Sequence, residues 1–183
     1  MKEVDFGNQH QDFKEEIDPQ FPEPLCKEMD VDIFVDSNHG HDKVTGKSLT
    51  GVVAFVGRTP VDADSKRQPS CQAATYGSEY TSLRKGVEKA VTVRYYLRSM
   101  GVKVTKPSRI WADNRSTIIS STEPGSALKN KMVAMSYHTV REHYAGKVVD
   151  ICYVGTEDNY ADPMTKAVPS SEFHGHFGEY LHN

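Results

Sequence analysis

Four acidic residues lie where side chains from separate elements could meet at one edge of a sheet. Asp36 ends the segment VDIFVD and Asp113 ends RIWAD, and both segments have the composition of strands. Asp162 precedes Pro163, as an N-cap does at the start of a helical segment, and Glu79 lies on a predicted helix. Sites in sheets with connecting helices form at such strand ends. Carboxylate oxygens suit Mg²⁺ or Mn²⁺, so the pattern predicts a metal site.

Glu79 has an unusual position on its helix. Leu83 and Val87 follow it at intervals of four residues, so Glu79 lies on the apolar stripe. A carboxylate that points toward a core is unfavourable unless it is paired or bound to metal. Each acid alone has a structural alternative. An Asp at a strand end is common in turns, and Asp162 could serve simply as a helix cap. Glu79 could interact with the helix dipole. The prediction of a site therefore rests on the four acids together.

The first half of the chain predicts three strands and a long helix. Strands are expected at Val31–Asp36, at Leu49–Val56 and near Cys71–Thr75, and the short connections favour an antiparallel meander. A helix is expected at about Tyr76–Met100, with Gly101 as a plausible C-cap.

The second half predicts alternating strands and helices. Arg109–Asp113 and Val148–Val154 are expected strands, and Asn114 begins a polar turn or short helix. A helix is expected at Leu128–Ala145, and a final helical segment follows Asp162. The order βββαβαβα predicts an α/β fold with a mixed five-stranded sheet, three strands antiparallel and then two parallel, and helices on both faces. The apolar faces of the last two helices are assigned to Leu128, Met132, Met135, Val140 and Tyr144, and to Phe173, Phe177 and Leu181.

Residues 1–30 are predicted to form a leader that precedes a single domain at residues 31–183. The run from Asp18 to Pro24 contains three prolines and cannot sustain a helix or a central strand, so it is expected on the surface or disordered. Residues 1–35 hold ten acidic and three basic residues, and the remainder holds fifteen acidic and nineteen basic residues. The body is therefore mildly basic, which is compatible with nucleic acid but also with an ordinary solvated surface.

Composition excludes several classes of protein. A chain of 183 residues suits one domain, and it contains no apolar run approaching the ~18 residues of a membrane span. The polar, acidic N-terminus is unlike a secretory signal. Cys26, Cys71 and Cys152 are scattered and form no CxxC pair, so we expect neither a disulfide framework nor structural zinc, and an intracellular setting.

Six segments occur in the order VDSNHGHDKVTGKSLTG, SKRQPS, TYGSEYTSLR, IWADNRS, YHTVREHYAGKV and YVGTEDNYADPMTK. Each resembles a motif of the ribonuclease H domain of copia-type retrotransposon Pol polyproteins, in the family's own order, and together they cover about Val31–Pro169. The leader resembles the linker that joins reverse transcriptase to ribonuclease H in such polyproteins. The chain itself contains no stretch resembling the polymerase palm and no YxDD motif.

The resemblance implies a ribonuclease H-like fold with an Asp-Glu-Asp-Asp site that falls on Asp36, Glu79, Asp113 and Asp162. It implies cleavage of the RNA strand of an RNA–DNA hybrid with two Mg²⁺ ions, with Mn²⁺ as their substitute, giving 3′-hydroxyl and 5′-phosphate ends. Asp36 would bridge both ions, Asp162 would complete the water side, and Glu79 and Asp113 the leaving-group side. Glu79 would also sense the RNA 2′-hydroxyl.

Supporting residues are predicted around these acids, with plain turn chemistry as the alternative for each. His138 and Arg141 match the family phrase YHxxRE and are assigned to helix packing or to support behind the ligands. Relatives often carry Asp at Asn38 and His at Met132, and no His lies within Gly155–Ala161 to assist product release. The candidate hybrid contacts are Ser37, Asn38, Lys66, Arg67, Gln68, Asn114 and Ser116.

Two alternatives to an active ribonuclease H stay open. One is a different nuclease on the same fold, such as an integrase or junction resolvase, which would place its last acid differently. The other is an inactive or domesticated remnant that binds nucleic acid without turnover. The resemblance further implies a reverse transcriptase domain upstream in a parent polyprotein, no membrane association, and a location in the cytoplasm, a virus-like particle or the nucleus.

Overall fold

A five-stranded mixed sheet forms the centre of the computed structural model, which describes residues 10, 12–72, 74–128 and 130–181. The strands are β1 Val31–Asn38, β2 Lys47–Val56, β3 Thr59–Cys71, β4 Ser108–Ala112 and β5 Val149–Tyr153. Their order across the sheet is β3-β2-β1-β4-β5. β2 pairs antiparallel with β1 and β3, whereas β4 pairs parallel with β1 and β5. The predicted sheet and its strand directions are confirmed.

β1 is the central strand, and both of its faces are covered. Ile33 and Val35 point into the larger core, whereas Phe34 joins a second cluster on the opposite face. This alternation follows from the two-residue period of a strand. A strand buried on both faces is apolar along nearly its whole length, which explains the sequence VDIFV.

Helices pack on both faces of the sheet, as predicted. The helices are α1 Thr75–Ser99, α2 Arg115–Thr122, α3 Ala134–Ala145 and α4 Ser170–Phe177, among the residues described. Leu83 of α1 and Val140 of α3 belong to the larger core. Phe177 of α4 packs with Val53 and Phe55 on the other face. Within the described ranges, no helix combines the length and apolar character needed to cross a bilayer.

The third strand lies elsewhere than predicted: β3 is Thr59–Cys71, and only Cys71 falls within the predicted Cys71–Thr75. β3 lies at the edge of the sheet and pairs only with β2. An edge strand tolerates charged residues and prolines such as Pro60 and Pro69, because one side of its backbone needs no partner. Most of β3 is exposed, so it lacks the apolar alternation that indicates a strand.

The predicted apolar face of Leu128–Ala145 is partly wrong. Met132 and Met135 are 84% and 74% exposed. A short 3₁₀ helix at Lys131–Val133 precedes α3, and Asn130 caps it by accepting a hydrogen bond from the Met132 backbone N–H. Because a 3₁₀ helix has three residues per turn, it shifts the face that the following residues present. Val140 is buried as predicted, and Val133 and Tyr137 provide the other buried apolar side chains.

The last helical segment also begins differently from the prediction. Asp162 is not an N-cap but the first residue of a 3₁₀ turn, Asp162–Met164, whose N-cap is Ala161. The α-helix itself starts only at Ser170. Phe173 and Phe177 pack on the second face as expected, whereas Leu181 is 42% exposed.

The described part of the leader lies on the surface of the domain without helix or strand. Phe13 packs against the larger core. The backbone N–H of Leu25 donates to the Gly101 carbonyl at 3.0 Å, and that of Met29 donates to the Lys103 carbonyl at 2.9 Å. These contacts tie residues 12–30 to the body of the chain, and the domain boundary at residue 30 stays a prediction.

Glu15 makes the strongest of these attachments. Its carboxylate accepts hydrogen bonds from Arg94 at 2.7 Å and from Arg98 at 2.8 Å. The Arg94 side chain is only 1% exposed, so its charge depends on this partner. Burial raises the pKa of Glu15, but the hydrogen bonds and charges of the two arginines outweigh it and lower the pKa to about 2. The leader thus neutralises a buried cation on α1.

Glu15→Gln is expected to lower the free energy of unfolding at pH 7 by roughly 3 kcal/mol, because it leaves the Arg94 guanidinium without its charged partner. The folded-state pKa of Glu15 is about 2 and its ordinary value is 4.5. The stabilisation is therefore complete above that ordinary value and is lost as the pH falls toward 2. Urea unfolding at several pH values measures it, with the exposed Glu16→Gln as control. Equal effects of the two variants would contradict the prediction.

Candidate active site

Three of the four predicted acids meet at one edge of the sheet. Asp36 lies near the end of β1, Asp113 directly follows β4, and Glu79 lies in the second turn of α1. β1 and β4 are parallel neighbours, so their carboxyl ends lie at the same edge. One carboxylate oxygen of each acid lies within 4.8 Å of the other two. The convergence predicted from the strand ends is therefore present for these three residues.

Glu79 reaches this edge because α1 lies very close to β1. Gly86 stands two turns further along α1, where an added Cβ would be 2.6 Å from Cγ1 of Val35 and 3.2 Å from Cγ2 of Ile110. Glycine therefore permits a helix-to-sheet distance that any larger residue would increase. The close approach holds the first turns of α1 over the ends of β1 and β4.

Asp36 is a buried carboxyl group whose ionisation is unfavourable. Burial raises its pKa to about 6, and the charges of Asp113 and Asp162 act in the same direction. The hydroxyl group of Thr165, which donates to Oδ2 of Asp36, and the charge of Lys166 oppose the increase. The net result is a carboxylate that lacks sufficient positive charge around it.

Glu79 is perturbed in the same direction and more strongly. Burial raises its pKa to about 8, and repulsion from Asp36 and Asp113 contributes to the increase. A hydrogen bond from Ser37 and the charge of Lys166 only partly offset these effects. Two buried carboxyl groups whose charged forms are disfavoured, with a third acid beside them, are suited to bind a divalent cation, which removes the repulsion.

The donor set fits a hard metal ion. The cluster of Asp36, Glu79 and Asp113 offers carboxylate oxygens and contains no thiol or imidazole. Such all-oxygen sets suit Mg²⁺ and Mn²⁺, whereas Zn²⁺ favours nitrogen and sulfur. The three acids therefore fit the metal that the sequence predicts.

Asp162 lies close by but outside this cluster. Its buried carboxylate pairs with the Lys166 ammonium four residues later. Asp162 still acts electrostatically on Asp36. Thr165, from the same segment, is fully buried and donates its hydroxyl to Asp36. The segment therefore contributes both a fourth acid and a direct support for the first acid.

Two further contacts anchor this last segment to β1, and one glycine makes room for it on β2. Asn38 donates its amide to the Thr165 carbonyl at 3.1 Å, and Asn159 donates to the Val35 carbonyl at 3.0 Å. A Cβ at Gly51 would lie 2.6 Å from the backbone oxygen of Ala161. The same Cβ would lie 2.8 Å from Cγ2 of Thr165. Gly51 therefore allows the segment to lie directly beside Asp36.

Asp113 is held by contacts from the loop after β5 and through α2. Thr156 donates its hydroxyl to Oδ2 of Asp113 at 2.8 Å. Asn114 is the N-cap of α2 and accepts from the Thr117 backbone N–H at 3.1 Å. Arg141, 2% exposed, donates to the carbonyl oxygens at the end of α2, at 2.8–2.9 Å. Asn114 and Arg141 thus fix both ends of the helix that follows Asp113.

Two predicted substrate contacts are interior residues. Oγ of Ser37 lies 3.2 Å from Oγ of Ser78, within hydrogen-bonding distance. Gln68 is 3% exposed and donates its amide to the Thr50 hydroxyl at 2.9 Å and to the Ser78 carbonyl at 3.0 Å. These contacts join β1, β2 and β3 to the start of α1. Ser37 and Gln68 therefore support the segment that carries Glu79.

The other predicted supporting residues lie on the surface. Lys66 and Arg67 extend from the edge strand β3 and form ion pairs with Asp64 at 2.9 Å and Asp42 at 2.7 Å. Ser116 is exposed in the first turn of α2. His138 is exposed on α3, where its ring lies edge-on to Tyr137 with centroids 5.2 Å apart.

Sequence reasoning did not assign four residues that shape the site: Thr156, Asn159, Thr165 and Lys166. All four lie within the segment YVGTEDNYADPMTK, which was singled out only for its aspartate. The sequence feature that could have indicated these residues is the dense run of polar residues between β5 and α4. Their partners are more than 40 residues away for Thr156, Asn159 and Thr165, so spacing alone could not reveal them.

The fold is that of ribonuclease H domains. The chain matches the N-terminal RNase H domain of a Mycobacterium tuberculosis protein with a TM-score of 0.58 and 14% identity, covering 80% of this chain and 98% of that domain. It matches LC11-RNase H1, in a crystal structure with an RNA/DNA hybrid, with a TM-score of 0.56 and 14% identity over 73% and 92% of the two chains.

The sequence is similar to a segment of retrotransposon Pol polyproteins. It is 23% identical over 145 residues to the retrovirus-related Pol polyprotein from transposon RE1 of Arabidopsis thaliana, covering 79% of this chain and 10% of that protein. Identity is 24% over 140 residues with that of transposon TNT 1-94 of Nicotiana tabacum, covering 76% and 10%. Identity with the Ty1-JR2 Gag-Pol polyprotein of Saccharomyces cerevisiae is 22% over 154 residues, covering 82% and 8%.

The chain thus spans at most a tenth of the length of these curated relatives. No protein-family model matches it. The similarities of sequence and fold confirm the resemblance to the ribonuclease H domain of a copia-type Pol polyprotein.

Gly51→Ala is expected to lower the free energy of unfolding by about 1–3 kcal/mol, because the new methyl group collides with backbone and side-chain atoms of residues 161–165. It should also weaken Mn²⁺ binding, since that segment supports Asp36. Urea unfolding and calorimetric titration measure the two effects. Gly125→Ala is the control, because a Cβ there meets no atom within 4 Å. The same small effect from both variants would refute this interpretation of Gly51.

Asp113→Asn is expected to raise the free energy of unfolding in metal-free buffer at pH 7 by about 1 kcal/mol, because it removes repulsion from the Asp36 carboxylate. Adding Mg²⁺ should stabilise the unchanged protein and have much less effect on the variant. Thermal unfolding with and without Mg²⁺ measures both changes. Asp150→Asn, at the opposite end of the β4–β5 pair, makes the same change in charge and should keep the full response to Mg²⁺. Equal Mg²⁺ responses of the two variants would show that Asp113 is not a ligand.

Proposed function

We propose that this chain is a ribonuclease H that hydrolyses the RNA strand of RNA–DNA hybrids. The observation that carries the proposal is the cluster of Asp36, Glu79 and Asp113, three carboxylate oxygens within 4.8 Å of one another. The cluster lies at the strand ends of a ribonuclease H fold. LC11-RNase H1, which has a similar fold, is described in complex with an RNA/DNA hybrid, and the sequence relatives are Pol polyproteins.

In this proposal the acids hold two divalent ions, Mg²⁺ or Mn²⁺. Asp36, Glu79 and Asp113 would hold one, and Asp162 together with Asp36 the other. When bound, such ions activate water for attack and neutralise charge on the phosphate and on the leaving oxygen. Hydrolysis breaks the bond between phosphorus and the 3′-oxygen, which leaves a 3′-hydroxyl and a 5′-phosphate.

The surrounding residues keep the acids in a fixed arrangement. The hydroxyl group of Thr165 donates to Asp36, and that of Thr156 donates to Asp113 at 2.8 Å. The Thr165 donor favours the charged form of Asp36, which is the form that binds a cation. Ser37 acts in the same way on Glu79. Fixed ligands reduce the reorganisation required when metal and substrate bind.

Recognition of the hybrid is assigned to residues around this edge. Lys66 and Arg67 on β3 and Ser116 on α2 are exposed and able to contact phosphates. Glu79 would contact the RNA 2′-hydroxyl, the group that distinguishes RNA from DNA. The body of the chain is only mildly basic, so we expect weak binding by the isolated domain and strong dependence on salt. A reverse transcriptase domain in a parent polyprotein would supply further hybrid-binding surface.

Incubation with a labelled RNA–DNA hybrid in Mg²⁺ or Mn²⁺ is expected to cut only the RNA strand. Single-stranded RNA and duplex DNA should remain intact. Asp113→Asn should reduce the rate about a hundredfold or more, because a ligand of the ion on the leaving-group side is lost. Asp150→Asn should retain the rate of the unchanged protein.

Each contrary outcome identifies a different protein. Cutting of DNA would indicate another nuclease on the same fold, such as an integrase or resolvase. Hybrid binding without cutting, at low salt and with either metal, would indicate a remnant that has lost turnover.

A further inference from the structure

Lys166 places a positive charge inside the acidic site. Its ammonium group pairs with the Asp162 carboxylate, which is 8% exposed, whereas the Lys166 side chain is 46% exposed. The Lys166 charge also acts on Asp36 and on Glu79. The fourth acid of the site, Asp162, is therefore already paired with a cation of this chain.

The position of Lys166 is set by the residue before it. Thr165 is fully buried; it donates its hydroxyl to Asp36, and its carbonyl accepts from Asn38 at 3.1 Å. The main chain is thus fixed immediately before Lys166, but the long lysine side chain has rotatable bonds and is partly in solvent. The ammonium group can therefore leave Asp162 without any movement of Thr165 or Asp36.

We propose that Lys166 is a resident counter-cation that competes with a divalent ion for the Asp162 carboxylate. The inference rests on the proposed metal-dependent function. Asp36, Glu79 and Asp113 form their cluster without Lys166, so an ion can bind there first. An ion at Asp162 competes with the ammonium group, because both cations are attracted to the same buried carboxylate and repel each other there. Lys166 thereby makes the two metal sites unequal in affinity.

The structure offers space for the displaced ammonium group. A cavity of about 560 Å³ adjoins the site and is lined by Asp162, Lys166 and Thr156, the residue that contacts Asp113. Glu157 and Glu172 also line this cavity and provide carboxylates for the lysine. Lys166 can therefore move from Asp162 toward Glu157 or Glu172 when a metal ion binds to Asp162.

Titration with Mn²⁺ alone, followed by calorimetry and by the electron paramagnetic resonance of free Mn²⁺, tests this role without any turnover. The unchanged protein should show one tighter and one weaker ion. Lys166→Gln should tighten the weaker ion by up to about fivefold, the size expected when a partly exposed ion pair no longer competes. Lys166→Arg should keep the weak second ion because it keeps the charge. Lys27→Gln, an equal change in charge on the exposed leader, should have no effect.

A second substitution identifies the carboxylate concerned. Adding Asp162→Asn to Lys166→Gln should abolish the second ion and retain the first. Lys166→Met provides the same test if the glutamine variant does not fold, as judged by urea unfolding. Unchanged or weaker Mn²⁺ binding after loss of the Lys166 charge would overturn the inference. So would an equal gain in Lys27→Gln, because the effect would then arise from net charge alone.

The same preparations separate this inference from the proposed function. If the unchanged protein does not cleave the hybrid but Lys166→Gln binds the second Mn²⁺ more tightly, the nuclease proposal fails and the role of Lys166 stands. If the hybrid is cleaved but Mn²⁺ binding does not change in the variant, the nuclease proposal stands and the role of Lys166 fails. If no Mn²⁺ binds to any of the proteins, both fail.

Discussion

Electrostatic repulsion among three carboxylates is the constraint around which this structure is organised. The parallel pairing of β1 with β4 brings Asp36 and Asp113 to one edge, and α1 adds Glu79. Burial prevents water from screening these charges and raises the pKa of Asp36 to about 6 and that of Glu79 to about 8. A site that is so unfavourable when empty gains a correspondingly large electrostatic benefit from a divalent cation. The same imbalance explains why hydroxyl donors and a lysine surround the acids.

The parts of this arrangement that depend on local pattern could be predicted from the sequence. Asp36 ends the run VDIFV and Asp113 ends the run RIWA, whose strand-like composition marks both acids as residues at strand ends. Glu79 lies on the apolar stripe of its helix, which indicates that it points toward the sheet. The mixed sheet followed from a meander and two helix-linked strands, since such connections leave few topologies.

The parts that depend on tertiary contacts could not be predicted. β3 lies at the sheet edge, where pairing on one side removes the need for apolar alternation, so its polar sequence concealed the strand. Met135 is exposed because the 3₁₀ turn at Lys131–Val133 shifts the face of the helix that follows. The bond from Thr165 to Asp36 joins residues 129 positions apart. Gln68 is a polar residue of the kind expected on a surface, yet it is buried by contacts with β2 and α1.

The central claim is that Asp36, Glu79 and Asp113 together bind a divalent metal ion. Anomalous diffraction from a crystal of this protein soaked in Mn²⁺ tests it most directly, because the signal locates manganese independently of any assay. We expect a peak bonded to carboxylate oxygens of all three residues, and none there in crystals of Asp113→Asn. A crystal in which Mn²⁺ binds elsewhere, with these three carboxylates free of metal, would contradict the claim.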